Sequence, residues 1–267
     1  MSVQLEGALA VVTGGGSGIG RATALALARR GAQVVVIDMD GDAATEVATS
    51  IDGVARSLDV SDPEATTRVA RELEREVGVP DLLVNNAGVG HTGRFLATTL
   101  DDWHWILGTN LMGVVHGCRA FGPAMLDRGS GHVVNVSSGL AYTPRATEPA
   151  YVTSKAAVLA LTRCLRADWG PKGVGVSAIC PGVIATSIVE RGRFRGERAS
   201  AEAMARVRRG FARGHPPMLV AEAVVDAVER DRPVVPVGIE ARVGWVLHGL
   251  VPSRLVDRAA RTSIAGL

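Results

Sequence analysis

Seven short runs of apolar, largely β-branched residues recur along the chain, with helical segments between most of them. The runs are Ala8–Thr13, Gln33–Asp38, Val54–Val60, Leu82–Asn85, His132–Ser137, Val174–Cys180 and Pro233–Val237. Helices are expected at Gly18–Arg30, Asp42–Ile51, Pro63–Val77, Asp101–Arg128, Pro149–Asp168 and Ala221–Arg230. Strands that alternate with helices form a parallel sheet, because each helix returns the chain to the edge where the next strand starts. The pattern predicts an α/β fold with a doubly wound, seven-stranded parallel sheet, helices on both faces, and a single domain over residues 1–267.

The composition indicates one packed domain with reduced cysteines. The chain has 267 residues, of which 47% are hydrophobic and 4% aromatic, and a formal net charge of +2. This balance gives no sign of nucleic acid or an anionic membrane as a partner, so any basic patch must be local. Three widely spaced cysteines, Cys118, Cys164 and Cys180, favour a cytoplasmic protein without a disulfide framework or metal site. No apolar run is long enough for a membrane span, and the first residues lack a secretion signal.

A glycine-rich turn follows the first predicted strand directly and precedes a helix. Its sequence is Thr13-Gly14-Gly15-Gly16-Ser17-Gly18-Ile19-Gly20. Glycines permit a tight turn and close approach of a pyrophosphate, which then sits at the positive end of the helix. The spacing is G-x-x-x-G-x-G rather than the usual G-x-G-x-x-G of dinucleotide-binding folds. The context still predicts a Rossmann-type cofactor site, with contacts from Gly14, Ser17, Gly18, Ile19 and Gly20.

The choice of dinucleotide depends on Asp38, which ends the second predicted strand. A carboxylate there can accept hydrogen bonds from the adenosine ribose hydroxyls, whereas a 2′-phosphate would meet a like charge. Ser17 and Met39 offer no cation to bind such a phosphate. Asp38 therefore favours NAD over NADP. The alternative role for Asp38 is a cap within the turn Asp38-Met39-Asp40-Gly41-Asp42.

Tyr151 and Lys155 lie one helical turn apart in the stretch Tyr151-Val152-Thr153-Ser154-Lys155. The chain has two tyrosines and two lysines in all, so composition does not explain this pair. A spacing of four residues puts both side chains on the same face of a helix. The pair is therefore a candidate for a joint chemical role.

Taken in order, the motifs resemble those of the short-chain dehydrogenase/reductase family of nicotinamide-dependent oxidoreductases. They are Asn85-Asn86-Ala87-Gly88, Ser138, Tyr151 to Lys155, and Pro181-Gly182-Val183-Ile184-Ala185-Thr186, and the similarity covers about residues 6–186. The resemblance implies that Tyr151 is the general acid/base. It implies that Lys155 also binds the nicotinamide ribose, that Ser138 binds the substrate oxygen, with Ser137 as an alternative, and that Asn110 holds a proton-relay water.

A tyrosine can serve this role near neutral pH only if its pKa, about 10 in water, is lowered. We expect three positive influences on Tyr151. They are the ammonium of Lys155, the oxidised nicotinamide ring, and the start of a helix at Thr147-Glu148-Pro149. The sequence thus predicts a lowered pKa for Tyr151.

The resemblance also implies further cofactor contacts and an assembly. Asp59 and Val60 match positions at the adenine, Asn86, Ala87 and Gly88 those along the adenosine ribose, and Pro181, Gly182, Ile184 and Thr186 those near the carboxamide. Asp59 could instead cap the helix that begins near Ser61-Asp62-Pro63. Family members commonly form homodimers or homotetramers through helices that correspond to Asp101–Arg128 and Pro149–Asp168.

The substrate is expected over the nicotinamide, among Gly88–Thr92, Gly139–Glu148 and a lid segment, 187–217. Leu140, Tyr142 and Val183 would make this pocket apolar. His91 is either a polar contact there or a solvated loop residue. Between Glu190 and Arg213 lie eight arginines and three glutamates, which form either a lid for an anionic handle or a solvated helical face.

Residues 241–267 form an amphipathic C-terminal extension in which apolar residues alternate with arginines. Such a segment could pack on the pocket, on a second subunit or on a lipid surface, and packing is favoured over membrane contact. Together these features predict an NAD(H)-dependent enzyme that interconverts a hydrophobic secondary alcohol and its ketone. Two alternatives are an NADPH-dependent reductase of carrier- or coenzyme A-bound 3-oxoacyl or polyketide carbonyls, and a non-catalytic dinucleotide-sensing protein.

Overall fold

The computed structural model describes residues 3–261, which contain nine strands. They are β1 (Leu9–Thr13), β2 (Gln33–Asp38), β3 (Val54–Ser57), β4 (Leu82–Asn85), β5 (His91–Thr92), β6 (Gly131–Val136), β7 (Val174–Pro181), β8 (Arg193–Phe194) and β9 (Val234–Val237). The helices are α1 (Gly18–Arg29), α2 (Gly41–Ser50), α3 (Pro63–Glu76), α4 (Leu100–Leu107), α5 (Gly113–Arg128), α6 (Pro149–Trp169), α7 (Ala201–Ala212), α8 (Pro217–Glu229), α9 (Ile239–Leu247) and α10 (Ser253–Arg261). Residues 262–267 of the predicted C-terminal extension lie outside the described residues.

The seven longer strands form one parallel sheet in the order β3-β2-β1-β4-β6-β7-β9. The prediction of a doubly wound seven-stranded sheet is confirmed. Strand order reverses between β1 and β4, so the loops after these two strands diverge and leave a crevice at the carboxyl edge of the sheet. Ligands of such sheets bind in that crevice, and the glycine-rich turn follows β1 there.

Two apolar layers cover the sheet because consecutive side chains of a strand point to opposite faces. Val12 and Val36 pack beneath α1, α2 and α8 on one face. Val11 and Val35 pack beneath α3, α5 and α6 on the other. The strands are buried on both sides, which explains why they are continuous apolar runs in the sequence.

The predicted helix Asp101–Arg128 is not continuous. A π-helical turn, Gly108–Met112, separates α4 from α5 and contains the buried residue Asn110. Single π turns within α-helices occur often at functional sites. The predicted strand Val54–Val60 also ends early, at Ser57, because the chain turns there and Asp62 caps α3. Predicted helix Ala221–Arg230 begins instead at Pro217, whose missing N–H suits a first helical position.

The predicted lid, 187–217, is folded onto the body of the protein. Its strand β8 pairs in parallel with β5, through bonds from the Arg193 amide to the Gly90 carbonyl at 3.1 Å and from the Arg195 amide to the Thr92 carbonyl at 2.9 Å. The Gly93 amide donates to the Thr147 carbonyl at 2.8 Å. All three predicted substrate segments are therefore joined by backbone hydrogen bonds. No helix within residues 3–261 has the length and apolarity that crossing a membrane requires.

Candidate active site

The glycine-rich turn leaves no room for side chains at the start of α1. Gly14 and Gly18 adopt positive φ angles of 63° and 52°. A Cβ on Gly20 would lie 2.0 Å from the Gly14 carbonyl oxygen, and one on Gly18 would lie 3.1 Å from Thr186 Cγ2. The turn therefore requires glycine. It also lies beside Thr186, so the predicted cofactor contacts at Gly14 to Gly20 and at Thr186 are neighbours. Backbone amides at a helix start suit a phosphate group.

Asp38 is buried at the end of β2 and is bonded to the glycine-rich turn. Its Oδ2 accepts a hydrogen bond from the Gly16 amide at 2.9 Å, and its Oδ1 accepts one from the Asp40 amide at 3.1 Å. The cap of α2 is Asp40, whose side chain accepts from the Ala43 amide. Asp38 therefore does not cap α2, but its bond to the Asp40 amide caps the turn, as the alternative expected. Its carboxylate also remains beside the predicted cofactor turn.

Thr13, the last residue of β1, fastens the loop after β4 to the glycine-rich turn. Its Oγ1 accepts hydrogen bonds from the amides of Asn86 at 3.0 Å and Ala87 at 3.1 Å. The Asn86 side chain donates to the carbonyls of Thr13 at 2.9 Å and Gly14 at 3.1 Å. The Asn86 amide group thus shapes the turn, and the backbone of Asn86 to Gly88 faces the crevice edge. Sequence reasoning missed Thr13, although its place at the end of β1 could have drawn attention to it.

At the predicted adenine position, the Asp59 carboxylate bonds locally. It accepts hydrogen bonds from the amide and the hydroxyl of Ser61 at 2.9 and 2.8 Å. The alternative that Asp59 caps α3 is wrong, because Asp62 provides that cap. Val60 is buried, and its carbonyl bonds to Nδ1 of His116 at 2.9 Å. The turn after β3 is therefore held on both sides of Asp59.

Ser138 and Tyr151 meet at the carboxyl end of β6. The Ser138 hydroxyl lies close enough to the Tyr151 hydroxyl to lower its pKa, and Ser138 Oγ accepts a hydrogen bond from the Leu140 amide at 3.1 Å. Ser137 points elsewhere, since its hydroxyl donates to the Lys155 carbonyl at 2.7 Å. Of the two serines, Ser138 is the one whose hydroxyl acts on Tyr151, so the geometry favours Ser138 over Ser137.

Lys155 is buried beneath this pair. Its Nζ donates to the Val136 carbonyl at 3.0 Å. Burial lowers the pKa of Lys155 to about 8, and the nearby Cys180 raises it slightly. An ammonium has three N–H donors, and one hydrogen bond to a described residue uses one of them. Lys155 thus retains donors at the site while it remains mainly charged at neutral pH.

Asn110 links the loop after β4 to α6. Its Oδ1 accepts from the Val89 amide at 2.7 Å, and its Nδ2 donates to the Val89 carbonyl at 3.0 Å and to Ser154 Oγ at 3.2 Å. The Ser154 hydroxyl in turn donates to the Tyr151 carbonyl at 2.7 Å. Sequence reasoning missed Ser154. The π turn therefore places Asn110 in direct contact with the helix that carries Tyr151.

The expected lowering of the Tyr151 pKa is not found among the protein's own groups. Burial raises the pKa of Tyr151 to about 12, the neighbouring Ser138 hydroxyl lowers it, and the carboxylate of Glu148 raises it. Lys155 is not among these influences. Lys155 and the helix start therefore do not lower the pKa by themselves, because the phenol loses contact with water on folding, and the contribution of the nicotinamide ring stays a prediction. Glu148, which the sequence analysis named only as part of the helix start, acts in the opposite direction, and burial raises its own pKa.

The predicted pocket wall is only partly available to a substrate. Leu140 and Val183 are half-buried, but the Tyr142 hydroxyl donates to the Ala241 carbonyl at 2.8 Å, and its ring packs edge-to-face on Trp245. Tyr142 therefore anchors α9. Helix α9 of the C-terminal extension therefore packs against the predicted substrate segment, as expected.

Both interpretations of His91 are wrong. Its ring is buried rather than solvated, and its Nε2 lies 3.7 Å from Asp102 Oδ2. Burial lowers the pKa of His91. The imidazole faces the buried carboxylate of α4 rather than the crevice that contains Tyr151.

Two of the eight lid arginines pair with this same carboxylate. Arg195 Nε donates to Asp102 Oδ2 at 2.7 Å, and Arg193 Nη1 donates to Oδ1 at 3.1 Å. Arg193 also lies over the Trp105 ring, 4.2 Å from its centre. These two arginines therefore bind the body of the protein and leave the recognition of an anionic handle to other residues. The prediction of a solvated face holds for Arg206 and Arg209 of α7, which are exposed.

The chain is similar to proteins of one enzyme family. Residues 8–194 match the family model described as short chain dehydrogenase. The probable oxidoreductase EphD of Mycobacterium tuberculosis (strain ATCC 25618 / H37Rv) is 45% identical over 96% of this chain, which spans only 44% of that protein. The galactitol 2-dehydrogenase (L-tagatose-forming) of Cereibacter sphaeroides is 38% identical over 73% of this chain and 78% of its own length.

A solved structure agrees in fold. The crystal structure of a short chain dehydrogenase/reductase from Burkholderia phymatum in complex with NAD has a TM-score of 0.86 and 29% sequence identity, with 97% of each chain covered. The residues that match the family model include the whole glycine-rich turn and the whole of α6, which carries Tyr151. The chain therefore belongs to the short-chain dehydrogenase family.

Proposed function

We propose that the chain is an NAD(H)-dependent oxidoreductase that interconverts a secondary alcohol and its ketone, with Tyr151 as the general acid/base. The neighbouring Ser138 and Tyr151 hydroxyls, together with the buried Lys155, carry this proposal. They lie at the carboxyl edge of the sheet, where parallel α/β folds bind their ligands. The galactitol 2-dehydrogenase, named for the oxidation of an alcohol, supports the reaction class.

The residues present fit a dinucleotide. The turn from Gly14 to Gly20 packs too closely for a Cβ at Gly20, and it leads into the start of α1, where backbone amides suit a phosphate. Asp38 Oδ1 and Oδ2 each accept one backbone amide, and a carboxylate has about four acceptor positions. Two positions therefore remain for ribose hydroxyls, and the negative charge disfavours a 2′-phosphate. When bound, the nicotinamide supplies or accepts the hydride.

The chain's own residues handle the proton. Tyr151 accepts the proton of the substrate hydroxyl during oxidation and returns it to the carbonyl oxygen during reduction. Ser138 holds the substrate oxygen beside the phenol. The buried phenol has a pKa of about 12, so its ionisation at neutral pH depends on positive charge brought close to it. Lys155 contributes a positive charge and an N–H donor for the ribose. Asn110 donates to Ser154, which in turn donates to the Tyr151 carbonyl.

The substrate class we propose is a hydrophobic secondary alcohol. Half-buried Leu140 and Val183 flank the site, and α9 closes it from the C-terminal side through Tyr142. A panel of hydrophobic secondary alcohols and linear polyols, assayed with NAD, tests this choice. Faster turnover of the polyols would contradict it. The cytoplasmic location and the homodimer or homotetramer remain predictions, and light scattering of the purified chain tests the assembly.

The decisive variant is Tyr151→Phe, which removes the acid/base and leaves the ring. We expect turnover to fall by about 10³-fold or more, because general acid/base catalysis and substrate orientation are both lost. Binding of NADH, followed by its fluorescence, should be unchanged. Substantial turnover by Tyr151→Phe would refute the proposed role. A Tyr142→Phe variant is the matched control, because Tyr142 bonds to α9 rather than to Ser138.

A further inference from the structure

Helix α9 is apolar on two opposite faces. Its inner face packs on the substrate segment through Ala241 and Trp245. Its outer face presents a stripe of exposed apolar side chains at helical spacing: Ile239, Val243, Val246, Leu247 and, in the turn that follows the helix, Leu250. A helix on the surface of a globular protein normally has one apolar face. A contiguous exposed apolar stripe marks a surface that binds a partner.

The adjoining helix α10 extends this stripe and connects it to the substrate loop. Leu255 of α10 is exposed. The Ala260 carbonyl accepts a hydrogen bond from the Ala146 amide at 3.0 Å, which docks α10 on the loop before Tyr151. Both C-terminal helices therefore contact the segment 139–148. We call their exposed apolar residues and bordering arginines the C-terminal face.

Unpaired arginines border the C-terminal face. They are Arg242 on α9 and Arg254, Arg258 and Arg261 on α10, all of them exposed. None forms an ion pair with a residue that the structure describes. Of the two acids on these helices, Glu240 accepts from the Val183 amide at 2.7 Å and pairs with His215 at 3.2 Å. Asp257 alone opposes the four arginines, so the C-terminal face is apolar in the middle and positive at its border.

The positive border of the C-terminal face indicates which kind of partner binds there. A second copy of this chain, docked face to face by a two-fold axis, would bring the same positive border against itself. Like charges across an interface oppose association. An anionic lipid surface instead supplies negative head groups for the arginines and acyl chains for the leucines and valines.

We propose that the C-terminal face binds the anionic surface of a lipid bilayer peripherally, with Leu250 at its most exposed point. Docking in this way places the substrate segment 139–148 on the membrane side of the molecule, because α9 and α10 both contact it. The proposal concerns a surface outside the site of Tyr151, so it stands or falls independently of the proposed reaction.

Co-sedimentation with vesicles tests the proposal. The purified chain is mixed with vesicles of pure phosphatidylcholine and with vesicles of equal parts phosphatidylcholine and phosphatidylglycerol. We expect at least about tenfold stronger binding to the anionic vesicles, and loss of that preference at high salt, because four arginines contribute at the border. Equal binding to both compositions, or no binding to the anionic one, would overturn the proposal.

Matched variants locate the contact. Leu250→Ser should weaken binding by about tenfold, since a leucine side chain leaves water on docking. Leu96→Ser is its control, because Leu96 is 95% exposed and lies in another part of the fold, against 75% for Leu250. Arg254→Gln with Arg258→Gln should weaken binding by about tenfold or more, and Arg206→Gln with Arg209→Gln on α7 should not.

Two further measurements distinguish a lipid surface from a second subunit as the partner of the C-terminal face. All of these side chains are exposed, so thermal unfolding and basal turnover should be unchanged in every variant. Val246→Ser replaces Leu250→Ser if the latter alters folding. Equal losses in the Leu96 and Leu250 variants would overturn the proposal. Light scattering could instead show an oligomer that dissociates in Leu250→Ser and in none of the other variants. That result would also overturn the proposal, because it would indicate a contact between subunits.

Discussion

Arg195 in the lid forms a paired hydrogen bond with the buried carboxylate of Asp102 on α4. Its Nε and Nη2 lie 2.7 and 2.8 Å from the two carboxylate oxygens. The same carboxylate completes the capping box of α4 with Thr99. Helix α4 leads directly into the π turn that contains Asn110. The Asp102 carboxylate therefore connects the lid to the start of α4. Through α4 it is also connected to the π turn, whose Asn110 contacts the helix that carries Tyr151.

Asp102→Asn should loosen the lid and destabilise the fold. Removing one partner of a buried ion pair costs about 3–5 kcal/mol, and the partial exposure of Arg193 and Arg195 reduces this to about 2 kcal/mol. We expect a higher KM for substrate and a lower free energy of unfolding, measured by urea denaturation. Arg94→Gln, which breaks the exposed pair with Glu197, is the control and should cost under about 1 kcal/mol. Equal effects of the two variants would contradict the role of Asp102.

Acid should weaken the same contact. The Arg195 hydrogen bond holds the pKa of Asp102 well below its usual range. A carboxylate with a lowered folded-state pKa stabilises the protein fully above its unfolded pKa of about 3.9, and that contribution is lost as pH falls further. Wild-type stability should thus fall more steeply than that of Asp102→Asn below pH about 4. Parallel curves for the two proteins would rule out this contribution.

Ser137 and Ser138 are neighbours with different expected effects. Ser138→Ala removes the hydroxyl next to that of Tyr151, and we expect kcat to fall by about 10²–10³-fold. Ser137→Ala removes a donor to the Lys155 carbonyl and should cost about 1 kcal/mol of stability while kcat changes little. Steady-state kinetics and thermal unfolding separate the two outcomes. A larger kinetic effect at Ser137 would reverse the assignment.

Lys155→Met should abolish activity and yet stabilise the protein. Burial lowers the pKa of Lys155 to about 8, from about 10.4 in an unfolded chain, so the folded state disfavours the charged form. The wild type becomes more stable as pH rises from about 8 to 10, because only its unfolded form still binds the proton. At neutral pH we expect the variant to be more stable by about 1–3 kcal/mol. Denaturation curves at pH 7 and 9.5 measure the difference, which should shrink at the higher pH; a less stable variant would contradict this account.

Asp38→Asn should change the preference between cofactors. The amide removes the negative charge and halves the acceptor capacity beside the Gly16 amide. We expect kcat/KM with NADH to fall by about tenfold or more and the ratio of NADH to NADPH efficiency to fall further. The two efficiencies are measured with a single substrate. An unchanged ratio would show that Asp38 does not select the cofactor.

Local patterns predicted much of the sheet and part of the site. Each strand of the sheet was expected to within a few residues, because apolar runs and turn residues act over short distances. The π turn at Asn110 was not predicted, since its cause is contact with Val89 and Ser154 from other elements. The burial of Tyr151, which raises its pKa, also depends on packing between segments.

By itself, the sequence determined the parallel sheet, the glycine-rich turn and the pairing of Tyr151 with Lys155 on one helix turn, because hydrophobic periodicity and backbone freedom are local properties. Only the tertiary structure decided which partners the charged and polar side chains take. Asp102 and Arg195 are 93 residues apart, and Tyr142 and Ala241 are 99 apart. Such contacts arise when distant segments pack together, because burial leaves a polar group unstable until it finds a partner.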